Sequence, residues 1–96
     1  MRFTWDPAKS TANLALRGLD FVGATMVFDG PVLEREDTRG EYGERRIIAI
    51  GLGRGVALTV VYTDRLLDSS EVERRVISAR RSNRRERKAY EAFTHA

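Results

Sequence analysis

The sequence predicts an α+β domain in which helices pack against one face of a small antiparallel sheet. Two observations predict it. Runs rich in Val, Ile, Thr and Tyr cover 45–51, 56–63 and 72–79, and short connections between them favour an antiparallel meander. Helical patterns with capping residues stand before and after these runs. A chain of 96 residues has the length of one domain, so we expect 1–96 to form a single domain.

The first elements along the chain are a short strand and two helices. Alternating apolar residues over 2–5 predict the strand. Asp6 followed by Pro7 is typical of a helix start, because Asp caps exposed backbone N–H groups and Pro fits the first helical position. Gly18 is typical of a helix end. Asp20 then predicts the N-terminal cap of a second, short helix.

The remaining elements are a loop-rich stretch, the meander and a closing helix. Residues 30–43 are rich in Gly, Glu, Asp and Arg, which predicts a brief strand followed by an exposed loop over 36–43. The three meander strands follow this loop. Asn83, with Glu86 three residues later, is a variant of the capping box. It predicts a C-terminal helix of about ten residues.

Positive charge is concentrated near the C-terminus. The formal net charge is +3, but residues 72–91 contain eight basic and three acidic residues, whereas 1–71 contain nine basic and eleven acidic residues. Most of these cations are arginines, which bind phosphate and carboxylate groups through two parallel hydrogen bonds. This distribution favours an anionic partner such as nucleic acid. The alternative is a basic helix that only faces solvent.

Several classes of protein are excluded or disfavoured. There is no cysteine, which excludes disulfides, thiolate zinc sites and a Cys nucleophile. The one histidine, His95, lies beside the terminus, which disfavours a two-histidine ribonuclease or a Ser–His–Asp triad. The loop carboxylates are interrupted by arginines, so we expect neither a metal nor a cofactor. No apolar run approaches the ~20 residues of a membrane span, and no signal peptide is evident, which favours the cytoplasm.

One face of the predicted sheet is expected to carry a polar groove. Helices can cover only one face well, so the other face would present strand residues to solvent. Strand alternation puts Arg74, Ser78 and Arg80 on the same face, and we expect Tyr62 beside them. Further candidates lie nearby: Glu44, Arg46 and Arg65. The alternative is that these arginines only pair with loop carboxylates.

The chemistry that suits such a groove is phosphoryl transfer on RNA. RNA carries its own nucleophile, the 2′-OH, so the protein has only to position it, move protons and stabilise the charge that develops on phosphorus. Arginine supplies that stabilisation, and proton transfer adds roughly 10²–10⁴-fold. No metal ion is required.

Short motifs follow one another along nearly the whole chain. They are Trp5-Asp6-Pro-x-Lys9, Gly43-Glu44-x-Arg46, Val60-Val61-Tyr62-Thr63-x-Arg65, Val76-Ile77-Ser78-Ala79-Arg80-Arg81 and Glu86-Arg87. In this order they resemble the BrnT toxin family, the ribonuclease components of type II toxin–antitoxin pairs. The resemblance implies a RelE-like fold and RNA cleavage that blocks translation. It also implies a BrnA-like antitoxin, which would form a hetero-oligomer with the toxin and bind operator DNA to repress the operon.

The sequence departs from the family pattern at two places. The family usually has Lys-His before the glycine at Gly18, where this chain has Leu16 and Arg17, and Arg45 stands where an acidic residue is common. The acid/base role therefore falls to Glu44 or Tyr62.

We expect catalytic and substrate-binding roles for the residues of the groove and its surroundings. The expected catalytic residues are Arg46, Arg65 and Arg80, with Glu44 and Tyr62 as acid/base groups. The expected substrate-binding residues are Arg45, Arg81, Arg84 and Arg85. The alternative is a non-catalytic module that binds nucleic acid or protein through its basic C-terminal helix. These residues would serve either function.

Overall fold

The computed structural model describes residues 1–95 as a five-stranded sheet with helices on both faces. The elements in chain order are β1 (Arg2–Trp5), α1 (Pro7–Arg17), α2 (Phe21–Thr25), β2 (Leu33–Glu36), β3 (Ile47–Gly53), β4 (Val56–Leu66), β5 (Val72–Arg81) and α3 (Arg84–Thr94). A 3₁₀ turn, Met26–Asp29, continues α2. This order confirms the α+β class. No helix within the described residues is long and apolar enough to cross a membrane.

The capping residues act as their positions in the sequence indicate. The Asp6 carboxylate accepts a hydrogen bond from the Ala8 N–H at 2.9 Å, and Pro7 is the first residue of α1. Gly18 ends α1 with a φ of +70°, a left-handed conformation that glycine adopts without a Cβ clash. At α2, the Asp20 carboxylate accepts from the Gly23 N–H at 2.8 Å. These helix boundaries are thus set by local chemistry.

The sheet has the strand order β1-β5-β4-β3-β2. The chain from β2 to β5 forms the expected antiparallel meander, whereas β1 pairs in parallel with β5. The sheet is therefore mixed, which differs from the fully antiparallel arrangement that the short connections suggested. By joining β5, β1 covers hydrogen-bonding groups that would otherwise lie at a sheet edge.

The two faces of the sheet have different coverings. Helix α2 buries Phe21 against Val60, Val76 and other core residues on one side, which we call the helix face. Helix α3 packs on the opposite side, over β3, and the Tyr90 hydroxyl donates to the Pro31 carbonyl at 2.7 Å. The sequence indicated that helices cover a single face, and α3 corrects that expectation. Only part of the second face is left open.

A β-bulge in β5 changes which residues share a face. Val61 pairs with Ser78, but the next residue, Tyr62, pairs with Val76, so Ile77 is an extra residue in the ladder. Simple alternation breaks at this point. Arg74 and Val76 therefore lie on the helix face, while Ser78 and Arg80 lie on the opposite one. The expectation that Arg74, Ser78 and Arg80 share a face is wrong for this reason.

Candidate functional site

The open side of the sheet presents several cationic side chains, and we call it the arginine face. It is formed by rows of side chains that lie opposite one another on neighbouring strands. The rows are Ile50, Thr59 and Arg80; Ile48, Val61 and Ser78; and Thr63 and Arg75. Continued alternation puts Arg46, the residue before β3, on the same face. Helix α3 lies over the isoleucines, so the arginines surround the uncovered remainder of the face.

Arg80 is fixed in place by the start of α3. Its Nη1 and Nη2 donate to the two carboxylate oxygens of Glu86 at 2.7 and 2.9 Å. Glu86 also completes the capping box by accepting from the Asn83 N–H at 2.8 Å. The Arg80 hydrogen bonds lower the pKa of Glu86 to about 2, and the same contact raises the pKa of Arg80. The Arg80 side chain is still 41% exposed, so an oriented guanidinium faces solvent.

The loop between β2 and β3 is anchored by a buried carboxylate. The Asp37 N–H donates to the Arg46 carbonyl at 2.8 Å, which extends the β2–β3 pairing. The Asp37 carboxylate, only 1% exposed, accepts from Nε and Nη2 of Arg39, both at 2.8 Å. These hydrogen bonds lower the pKa of Asp37 to about 2. The loop is thus built around an ion pair, which differs from the solvated loop that its composition suggested.

Three of the expected catalytic residues border the other end of the arginine face. Arg46 stacks on the Tyr42 ring at 4.0 Å from its centroid, and its Nη2 lies 3.4 Å from a Glu44 carboxylate oxygen. Arg65 lies 3.3 Å from Glu73. Glu44 and Arg65 line one shallow cleft. The structure therefore brings Arg46, Glu44 and Arg65 to the same face as Arg80.

Tyr62 lies on the helix face, away from Arg80. It is 4% exposed, its ring packs edge-on against Phe28, and its hydroxyl donates to Glu34. Arg74 stacks on the Tyr62 ring and forms a two-bond ion pair with Asp64 at 2.8 and 2.9 Å. Burial raises the pKa of the Tyr62 hydroxyl. The expectation that Tyr62 shares a groove with Ser78 and Arg80 is therefore wrong, because the two strands present these residues to opposite faces.

The expected substrate-binding residues are dispersed. Arg81 pairs in register with Leu58 and lines an apolar crevice on the helix side, together with Val22. Arg45 lies near Tyr62 and pairs with Glu36 at 2.9 Å. Arg84 and Arg85 are exposed in the first turn of α3. The structure therefore leaves Arg81 and Arg45 away from the arginine face and puts Arg84 and Arg85 at its border.

Sequence reasoning missed Arg75 on the arginine face and the two ion-pair residues Arg39 and Glu86. Arg75 is exposed and takes part in none of the ion pairs found within residues 1–95. The spacing Asp37-x-Arg39 is a local signal that indicates an Asx turn, since the Arg39 N–H also donates to Asp37 at 3.1 Å. For Glu86, the sequence indicated the capping box but not the ion pair with Arg80, six residues earlier at the end of β5.

The fold and the arginine face define a small basic α+β protein with one sheet face suited to a phosphate backbone. A family model described as the ribonuclease toxin BrnT of type II toxin–antitoxin systems matches residues 5–86. The chain therefore belongs to the BrnT family of ribonuclease toxins, as the order of its motifs indicated. Membership in a type II toxin–antitoxin family implies an antitoxin partner and an RNA target. No curated protein matches the chain.

Proposed function

We propose that this protein is a metal-independent endoribonuclease toxin that cleaves RNA through its 2′-OH in the cytoplasm and thereby inhibits translation. The observation that carries the proposal is the Arg80 guanidinium, which Glu86 orients on an uncovered face. The N–H groups of this guanidinium that do not bind Glu86 can donate to the oxygens of a phosphodiester. Glu86 offsets part of the local charge, but Arg75, which has no such partner within residues 1–95, keeps the face cationic.

The arginine face also offers a group for proton transfer. In the proposed reaction the 2′-oxygen attacks the adjacent phosphorus, the bond to the 5′-oxygen breaks, and a 2′,3′-cyclic phosphate forms. Glu44, beside Arg46, is the carboxylate that we assign to accept the 2′-OH proton, since Tyr62 is buried on the other face. The leaving 5′-oxygen takes its proton from solvent. Arg46 and Arg65, which border Glu44, stabilise the charge on the phosphorane, and Arg80, at the other end of the arginine face, binds an adjoining phosphate of the same strand.

Cleavage is expected to persist in excess EDTA and to leave 2′,3′-cyclic or 3′-phosphate ends. The nucleophile belongs to the RNA, and within residues 1–95 no group of three or more His, Asp or Glu side chains gathers as a metal site requires. End-group analysis of a labelled oligonucleotide measures this. Complete loss of cleavage in EDTA, with recovery on adding magnesium, would contradict metal independence.

Expression without a partner gene tests the function as a whole. Induction in a bacterial host is expected to arrest growth and deplete mRNA, and co-expression of the antitoxin is expected to restore growth. We propose that this antitoxin is BrnA-like and that the hetero-oligomer binds operator DNA through it. The measurements are growth curves, transcript levels and an operator-binding assay with the purified complex.

A non-catalytic binding module is the second candidate, and α3 favours it. Arg84, Arg85 and Lys88 form an exposed basic cluster on this helix, which could bind phosphate or an acidic protein without chemistry. In the expression experiment, a chain of this kind would bind RNA or protein but leave growth and mRNA unchanged. That result would favour the binding module over the enzyme.

A further inference from the structure

We infer that Arg39 is a second phosphate-binding residue, which contacts the RNA backbone from the β2–β3 loop while Arg80 contacts it from β5. This inference rests on the proposed ribonuclease function and deepens it. It adds a binding residue that neither the motifs nor the family description assigns, since Arg39 lies in the loop before the motif that begins at Gly43.

The first step is that hydrogen bonds and packing hold the β2–β3 loop in one conformation. Asp37 continues the β2–β3 pairing through its bond to the Arg46 carbonyl, and the Thr63 hydroxyl donates to the Arg45 carbonyl at 2.7 Å. Tyr42 packs on the Arg46 guanidinium. These contacts attach both ends of the loop to β3 and β4, so the loop has a defined position on the sheet.

The second step is that Asp37 directs Arg39 over the arginine face. Arg35 pairs with Ile48, which lies on that face, and Asp37 has the same parity as Arg35. The buried Asp37 carboxylate therefore lies on the arginine face. Nε and Nη2 of Arg39 donate to that carboxylate. The positive charge of Arg39 also acts to lower the pKa of Arg80, against the larger raising effect of Glu86. The parity of Asp37 and this electrostatic effect both favour placing the two guanidinium groups on the same face.

The third step is that Arg39 and Arg80 are held in the same way, each by a covered carboxylate. Each donates two side-chain hydrogen bonds to a carboxylate that is itself well covered, Asp37 at 1% and Glu86 at 13% exposure. Each keeps a large exposed part, 63% for Arg39 and 41% for Arg80. A carboxylate that orients the guanidinium reduces the side-chain entropy lost when a ligand binds. Two such groups on one face, alike in charge, are both stabilised by the phosphates of a bound RNA strand.

The experiment compares Arg39→Gln with Arg45→Gln in RNA binding. Glutamine keeps a donor for Asp37 but removes the charge. Arg45 is the matched control, because it belongs to the same loop region and pairs with Glu36 but lies away from the arginine face. The probe is a single-stranded 2′-O-methyl RNA, which lacks the nucleophile and so reports binding alone. Cleavage of the unmodified RNA is measured in parallel.

We expect Arg39→Gln to weaken binding about tenfold and to reduce the slope of log affinity against log salt by about 0.7, the value for one phosphate contact on a single strand. Arg45→Gln should leave both unchanged. Arg39→Lys should keep the slope, because it keeps the charge, but bind more weakly than the wild type because it loses the fork. Thermal melts of all variants identify any loss of folding, and binding is measured well below the lowest midpoint.

Two outcomes separate this inference from the proposed function. If the wild type binds and cleaves RNA but Arg39→Gln matches Arg45→Gln in affinity and slope, Arg39 is not a phosphate-binding residue, and the ribonuclease proposal is unaffected. If the wild type cleaves no RNA but binds the probe with an Arg39-dependent slope, the phosphate site is supported and the enzymatic function is wrong. A wild type that neither binds nor cleaves would overturn both.

Discussion

Replacing Arg80 by alanine is expected to lower the single-turnover rate of RNA cleavage by about 10²-fold, because Arg80 holds a phosphate of the strand and a small misplacement of the substrate costs about that much in rate. The guanidinium is oriented by Glu86 and faces the uncovered side of the sheet, so its loss removes a directed cation from the proposed site. Arg80→Lys should also be strongly impaired, because an ammonium cannot form the two-bond fork. Growth arrest should disappear with cleavage.

Arg81→Ala is the matched control for this experiment. Arg81 is the next residue, carries the same charge and is removed by the same substitution, but it lines the apolar crevice on the helix side. Its cleavage rate should therefore stay close to that of the wild type. Equal losses at Arg80 and Arg81 would indicate a general charge effect, and retained toxicity of Arg80→Ala at equal expression would remove Arg80 from the site.

Phe21→Ala is expected to have the largest effect on stability, about 3–5 kcal/mol in the free energy of unfolding. Phe21 is 2% exposed and joins α2 to Val60 and Val76 of the sheet, so truncation leaves a cavity in the main core. Stabilities of small proteins are about 5–15 kcal/mol, so this loss is a large fraction of the total. For a chain of this length the melting midpoint should fall by more than about 12 °C.

Val22→Ala is the control for a truncation in α2 that leaves the core intact. Val22 is the next residue of α2 but is 53% exposed, so its truncation should change the free energy of unfolding by less than about 0.5 kcal/mol. Thermal and denaturant unfolding measure both variants. A Phe21→Ala protein that melts within a few degrees of the wild type would show that α2 does not depend on this contact. The pair also distinguishes loss of toxicity through unfolding from the chemical loss expected at Arg80.

Features that depend on neighbouring residues were accessible from the sequence alone. The ends of α1, the start of α2 and the capping box of α3 were all indicated correctly, because a cap is made by side chains within a few residues of the backbone groups that they satisfy. The meander strands were indicated by their β-branched and aromatic residues. The ordered motifs also identified the family, which the family model matches over residues 5–86.

The composition of the candidate site was decided by the tertiary structure. One extra residue, Ile77, changes which face the first half of β5 presents, and this bulge depends on how β5 pairs with β4. Simple alternation ignores this bulge and therefore wrongly put Arg74 on the face of Arg80. The expectation that Tyr62 shares that face was wrong for the same reason, because Tyr62 pairs with Val76 before the bulge. A register shift leaves no clear mark in a single strand, because it is a property of two strands together.

The tertiary structure also decided how far the carboxylate partners of Arg39 and Arg80 are buried. The loop composition indicated a solvated Asp37, and the capping box assigned Glu86 to Asn83 alone, yet each carboxylate is largely covered and orients one guanidinium. Their burial results from the β2–β3 loop and α3 packing against the sheet, and no local pattern contains that information. The sequence by itself determined the elements, their caps and the concentration of positive charge. Only the tertiary structure decided which arginines share a face, because that depends on pairing register and on contacts between residues distant in the chain.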